Sequence, residues 1–248
     1  MDTSNRQKFI EFLTRDKDAA KFFIDLMSRN SNVLDMNFIE QHGDQLSWEY
    51  LSQNESLPWS EWSELLVNWY QHKWDWRYLS RNESLPWSEA FIERYKDKWA
   101  WGEVSWGRYG YILDGLSGNK SLPWSESLLE RYADKWNLEY LSLNKSLPWS
   151  ESLLERYKDK WDWYHLSSNK FLPWSESLLE RYKDKWIWEG EYSLSNNDSL
   201  PWSETLIERY KDKWDWYGPW GLSLNKSLTW TEELIERYPE TVVGEKII

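Results

Sequence analysis

The sequence predicts an all-α fold, a solenoid of tandem helix–turn–short-helix repeats of about 25–28 residues. Three observations predict it. A segment close to LPWSESLLERYKDKW recurs along most of the chain. Its first tryptophan falls at Trp59, Trp87, Trp124, Trp149, Trp174, Trp202 and, in the variant LTWTEELIERY, at Trp230. Within a copy, the apolar residues recur at helical spacing. Finally, 18% of residues are aromatic and 23 are Trp, yet 29% are charged and the mean hydropathy is −0.85. Large anchors in a charged matrix suit thin layers that each bury a few big side chains and leave the rest wet.

The same composition excludes several function classes. No apolar run approaches the ~18 residues needed to span a bilayer. The opening MDTSNRQKFIEF has no apolar stretch of the kind a secretory signal needs. The absence of cysteine removes disulfides, thiolate zinc sites and cysteine nucleophiles, and fits a reducing compartment. A cytoplasmic protein is expected, in the host cytoplasm if the chain is viral. The net charge of −12 is not spread evenly. From Trp149 to Leu172, Glu151, Glu155, Asp159 and Asp162 are balanced by Arg156, Lys158, Lys160 and Lys170, whereas the tail after Trp230 is acidic. No basic stripe builds up from copy to copy, as phosphate binding would favour.

Taken in chain order, residues 1–33 (RQKFIEFL and AAKFFIDLM among them) predict an N-terminal helical cap. A degenerate first copy follows, with Leu34 in the signature Trp slot, Asp35 at the cap, Phe38 and Ile39 in the seam, and Trp48 and Leu51 in the short helix. The tandem array runs over 34–238, about eight units counting the degenerate first and truncated last. Pro239 stops the last helix and 239–248 form a tail.

In the copy from Trp149, Pro148 holds Leu147 extended and keeps a helix from running in. Ser150 is the N-cap, Glu151 suits the helix dipole, and Trp149 with Leu154 has the spacing of a hydrophobic staple. Trp149, Leu153, Leu154, Tyr157 and Trp161 share an arc of ~140°, which predicts an amphipathic helix of about three turns. In DWYHLSSN, Asp162 caps a second, shorter helix or 3₁₀ turn, with Trp163 and Leu166 on one side. Asn169 is expected to end it in the left-handed conformation. Two turns are unstable alone, so this piece requires its neighbours.

Successive signature tryptophans are 28, 37, 25, 25, 28 and 28 residues apart. The first excess lies in the longer helix SEWSELLVNWYQHKW. The others share one junction, after the Trp-x-Trp pair and before Leu-Ser: GEVSWGRYGYILDG near 102–114, EGEYS after Trp188, and YGPWG after Trp216. Insertions confined to one junction project from one edge of a solenoid, often the binding edge.

The run LSLNKSLPWSESLLERYKDKWDWYHLSSN resembles tryptophan-rich tandem repeats of bacterial proteins without an assigned role. It is also similar to shorter repeats in large DNA viruses, built on LSxN, an aliphatic-x-Trp-Asp/Glu helix start and Lys-x-Trp-Asp-Trp-x-x-Leu-Ser. The resemblance covers roughly residues 34–238. It implies repeat architecture and a bacterial or viral origin, and it carries over no active site.

No catalytic signature emerges. N-capping accounts for Ser60, Ser88, Ser125, Ser150, Ser175 and Ser203. His42, His72 and His165 occupy three different slots, so no periodic metal site is expected, and no cofactor. Glu155 and Asp159 lie four apart on one helix face but are flanked by Arg156, Lys158 and Lys160, as on a solvated surface. The seam tryptophans read as core. The aromatics inside the insertions do not: Trp106, Tyr109, Tyr111, Tyr192 and Trp220 lie among glycines and are not needed by the seam, which marks them as candidate partner contacts. The expected function is a non-enzymatic interaction module that binds another protein through its insertion edge. Two alternatives are a modular binder of nucleic acid or another polymer and a structural component of a viral particle. The pairs Arg77 and Tyr78, Glu139 and Tyr140, and Tyr164 and His165 vary between copies as a polymer-reading code would require.

Overall fold

A computed structural model describes residues 39–239 except 42, 45, 58, 103 and 107–110. The expected N-terminal cap, Leu34, Asp35, Phe38, His42, Tyr109 and the tail from residue 240 lie outside the described residues, as do the side chains at 60–63 and 104–113. The chain divides into two compact units, Met1–Asn137 and Leu138–Ile248. Both are built from the helical repeat, so the fold class is the predicted all-α solenoid of helix–turn–short-helix modules.

In the first unit, α1 (Trp48–Gln53), α3 (Trp76–Arg81) and α5 (Gly115–Gly118) are the short helices, each lying against the next. The first helices of the repeats are α2 (Trp59–Trp69), α4 (Glu89–Arg94) and α6 (Glu126–Arg131). In the second unit, α7 (Leu138–Leu143) and α9 (Trp163–Ser168) are the stacked short helices. Here α8 (Glu151–Arg156), α10 (Glu176–Arg181), α11 (Glu204–Arg209) and α12 (Glu232–Arg237) are the first helices.

The first helix begins as the sequence predicts and ends sooner. Ser88, Ser125, Ser150, Ser175 and Ser203 accept from the amide three residues on, as in Leu153 N to Ser150 Oγ at 3.1 Å. Thr231 does the same for Leu234. Ser60 is a correction: α2 already starts at Trp59, which places Ser60 inside the first turn. The predicted three turns shrink to Glu151–Arg156, followed by turns. The cause is the indole. Trp161 Nε1 donates to Leu154 O at 3.2 Å and Trp163 Nε1 to Lys158 O at 2.9 Å, so side chains satisfy the carbonyls that more helix would have used. The chain can then turn and still deliver Trp161 to the core, where it is 5% exposed.

The short helix is capped by Asp162, which accepts from Tyr164 N at 2.9 Å, and Leu166 is fully buried. Burial of such a side chain is worth about 1.5–3 kcal/mol, enough to hold a helix of six residues that would melt alone. Asn169 is a second correction. It is extended (φ −73°, ψ 115°), not left-handed, because its carboxamide is needed between layers.

That carboxamide belongs to a ladder. Asn169 Nδ2 donates to Ser142 O at 2.8 Å, and Asn197 Nδ2 to Ser167 O at 3.0 Å. Asn225 Nδ2 donates to Ser195 O at 3.0 Å. Each Oδ1 accepts from the amide two residues on, and each asparagine carbonyl in the run Asn54 to Asn197 accepts from the signature indole five residues on, as in Trp174 Nε1 to Asn169 O at 3.0 Å. Serines form a second rung: Ser167 Oγ donates to Trp163 O and accepts from Ile187 N of the next repeat at 2.9 Å. Asn82 and Asn119 repeat the pattern in the first unit, toward Ser52 O and Ser80 O.

Rings fill the space around this ladder. Trp163 packs on Tyr182 and Trp186 of the next repeat at 4.8 and 4.7 Å, and Lys185 Nζ lies 5.3 Å from its centroid. Trp76 does the same with Tyr95 and Trp99, under Lys98. Burial is graded, however. Trp161, Trp186 and Trp214 are buried, whereas Trp149 and Trp163 are only half-buried.

The longest insertion forms a hairpin. β1 (Val104–Trp106) pairs antiparallel with β2 (Tyr111–Leu113), with Trp106 opposite Tyr111. β2 lies against α3, and Arg81 Nε forms an ion pair with Asp114 Oδ1 at 2.6 Å.

Candidate interaction edge

The three insertions at the shared junction are spliced in by one device. In the base repeat, Leu166 N bonds Asp162 O four residues back. With three residues added, Leu194 N bonds Ile187 O and Leu222 N bonds Asp215 O, both at 2.8 Å, and in the long insertion Leu116 N bonds Ala100 O at 2.7 Å. The closing hydrogen bond is the same in each case, so the extra residues are expelled as a loop. Gly190 (φ +93°) and Gly218 (φ +87°) take the same slot in the two short loops, with nothing near the position a Cβ would occupy. The open space makes the left-handed backbone, not crowding, the reason for glycine there.

This register puts a ring in the same slot of three consecutive repeats of the second unit, whose first repeat carries Glu139 there. Tyr164, Tyr192 and Trp220 each lie two residues before the buried leucine of Leu-Ser, namely Leu166, Leu194 and Leu222. Tyr164 is 45% and Trp220 38% exposed. Tyr164 and Tyr192 pack at 4.9 Å and 33°, and His165 meets Tyr192 edge-on at 5.4 Å. Between Tyr192 and Trp220 opens a cleft of about 390 Å³ that spans three repeats, with Lys170, Glu191, Asp198 and Lys226 in its walls. Lys170 is paired with Asp198 at 2.8 Å, and Asn196 Nδ2 holds the loop by donating to Glu191 O at 3.0 Å.

Of the sequence-predicted contacts, the structure brings Tyr192 and Trp220 to one cleft. Trp106 and Tyr111 are backbone partners in the hairpin of the first unit, and Tyr109 lies outside the described residues. Tyr164, flagged only as a variable position, belongs to the row. The signal was present in its distance from Leu-Ser and was masked because insertions displace Tyr192 and Trp220 from the Trp-x-Trp pair. The same slot holds Glu49, Arg77 and Asp114 in the first unit, so the aromatic row is confined to the second.

Titratable groups elsewhere are clasps between layers. Tyr182 OH donates to Glu155, Tyr210 OH to Glu180 and Tyr238 OH to Glu208, and in the first unit Tyr132 OH donates to Glu93. Burial, then the neighbouring carboxylate, pushes each of these phenols up to about 12. The Lys158 ammonium, then the Tyr182 hydroxyl, holds Glu155 below the usual carboxylate range. Asp159 pairs with Lys185 at 2.9 Å. Glu155 and Asp159 lie on the exposed surface, as expected, and there they also clasp the next repeat. His72 faces solvent.

Among the described residues, one group could hold a metal: Glu139, Asp162 and His165, whose donor atoms lie within 4.8 Å of one another. The alignment of slots that assembles it comes from two successive repeats and is invisible in the spacing of histidines. His165 Nδ1 lies 2.7 Å from Asp162 Oδ2, while Oδ1 caps the helix. The same slots in the first unit carry Glu49, Asp75 and Tyr78, with the phenol close enough to Glu49 for its charge to be felt. A polar node is therefore built into the repeat whether or not it contains histidine. No helix of the described residues is long and apolar enough to cross a membrane.

Comparisons with family models, curated proteins and solved structures return no match.

Proposed function

We propose that the protein is a non-enzymatic interaction module that binds another protein through its insertion edge, working in the cytoplasm and, for a viral chain, in the host's. The observation that carries this reading is the row Tyr164, Tyr192 and Trp220. Tyr164 and Trp220 are exposed and Tyr192 is half-buried between its neighbours, all three in the segments enclosed by the hydrogen bond that closes each repeat. Tyr and Trp present large area at low entropic cost and dominate the energetics of protein interfaces. Nucleic acid is disfavoured because the cleft holds as many carboxylates as lysines, Glu191 and Asp198 beside Lys170 and Lys226, and no basic stripe runs along the edge.

The test is affinity capture from the native host with the full chain, a Tyr192→Ala/Trp220→Ala variant, and a variant lacking residues 103–114. The same partner is expected to be lost or depleted in the aromatic variant. Unchanged capture in both variants would overturn the reading.

A further inference from the structure

Resting on the reading of this edge as a protein-binding surface, we propose that the cleft between Tyr192 and Trp220 takes a proline-rich segment of the partner in polyproline II conformation, with a basic residue beside it. Four features point to that chemistry. Proline rings pack on aromatic faces, and grooves lined by Tyr and Trp are the surfaces that recognise such segments. Here Tyr192, packed on Tyr164 at 4.9 Å, lines the cleft together with Trp220.

The dimensions also match. A polyproline II helix turns once in three residues and rises ~3.1 Å per residue, so its face recurs about every 9 Å. Tyr192 and Trp220 belong to neighbouring repeats and line one cleft, so a single turn of such a segment would meet both rings.

The third feature is hydrogen bonding. Polyproline II leaves its carbonyls unsatisfied. Signature and seam indoles such as Trp174 and Trp161 donate to backbone carbonyls, but Trp220 makes no hydrogen bond among the described residues. Nor does Lys226, so two donors are available in the cleft.

The fourth is charge. Lys170 is neutralised by Asp198, while Glu191 forms no ion pair among the described residues, and the chain as a whole carries −12. A basic residue next to the prolines would meet Glu191, and the overall charge would favour its approach.

The experiment titrates the full chain into a fluorescently labelled Pro-x-x-Pro-x-x-Pro peptide carrying one arginine, read by anisotropy. The controls are the same peptide with alanine for every proline, a neutral glucose oligosaccharide and an oligothymidylate. Expected are saturable binding of the proline peptide only, about tenfold weakening in Trp220→Ala and in Tyr192→Ala, and near-normal binding in Trp220→Phe, which keeps a ring. Glu191→Gln should weaken the arginine peptide and spare one without arginine. Circular dichroism confirms that each variant is folded. Absence of peptide binding, binding indifferent to Trp220→Ala, or ring-dependent binding of the sugar or the oligonucleotide in its place overturns the proposal. If Trp220→Ala abolishes capture of the native partner while no proline peptide binds, this inference falls and the broader reading stands. If capture is also unchanged, both fall.

Discussion

At the residue scale, the buried asparagine is the most demanding position in the repeat. Asn197 is 1% exposed and uses its whole carboxamide: Nδ2 toward Ser167 O, and Oδ1 from Ser199 N at 2.9 Å. Removing it strands a buried carbonyl and a turn amide, each worth roughly 1–3 kcal/mol when left unsatisfied. Asn197→Ala is therefore expected to cost about 2 kcal/mol or more in urea unfolding, and a loss below about 0.5 kcal/mol would show that water replaces the amide. The tyrosine–glutamate clasps make a second prediction. The phenols at 132, 182, 210 and 238 are raised to about 12 from an ordinary 10, so the folded state holds their protons more tightly. Their contribution is complete below pH 10 and is lost as pH rises through about 12. Stability should fall steeply in that window, together with delayed tyrosinate absorbance. In Tyr182→Phe the clasp is absent, and the alkaline loss should be smaller.

At the element scale, helix length is decided by the indoles and helix starts by the caps. Ser175→Ala removes the acceptor for Leu178 N and is expected to cost about 1 kcal/mol. Ser60 follows the first residue of α2 rather than preceding the helix, so Ser60→Ala is expected to change stability by less than about 0.5 kcal/mol. Equal losses for both would contradict the assigned start of α2. The splice at Ile187 and Leu194 gives a sharper test. Excising Glu189–Glu191 restores the base length, so that Leu194 N and Ile187 O become four apart, as Leu166 and Asp162 are. The variant should fold, gain a little helical circular dichroism, and change stability by no more than about 1 kcal/mol, because short surface loops are inexpensive to shorten. Misfolding would show that the loop is structural.

At the scale of the whole molecule, each repeat is held by its neighbours, so stability is a sum of layer interfaces rather than of one core. Those interfaces carry both rings and ion pairs, such as Arg181–Glu151 and Arg209–Glu176, on the surface. Exposed pairs are weak and screened by salt, whereas ring burial is not. Raising sodium chloride from 0.1 to 1 M is expected to shift the thermal midpoint by no more than about 3 °C. A collapse in high salt would mean that charge, not aromatic packing, joins the layers.

The repeat, its helical seam, its serine and aspartate caps and the common junction of the insertions were all legible in the sequence, because each follows from local spacing and backbone chemistry. Other features needed the third dimension. Asn169 looked like a left-handed helix end, yet a partner carbonyl 27 residues away decides its conformation. Glu155 is on the exposed face, as its charged neighbours indicated, but its bond from Tyr182 of the next repeat was not legible. Tyr164 joined Tyr192 and Trp220 only when closing hydrogen bonds put unequal segments in register. Local sequence dictates what one module can form, whereas a long-range contact exists only after a neighbouring module has folded against it. The ladder, the clasps and the aromatic edge were therefore decided by tertiary structure.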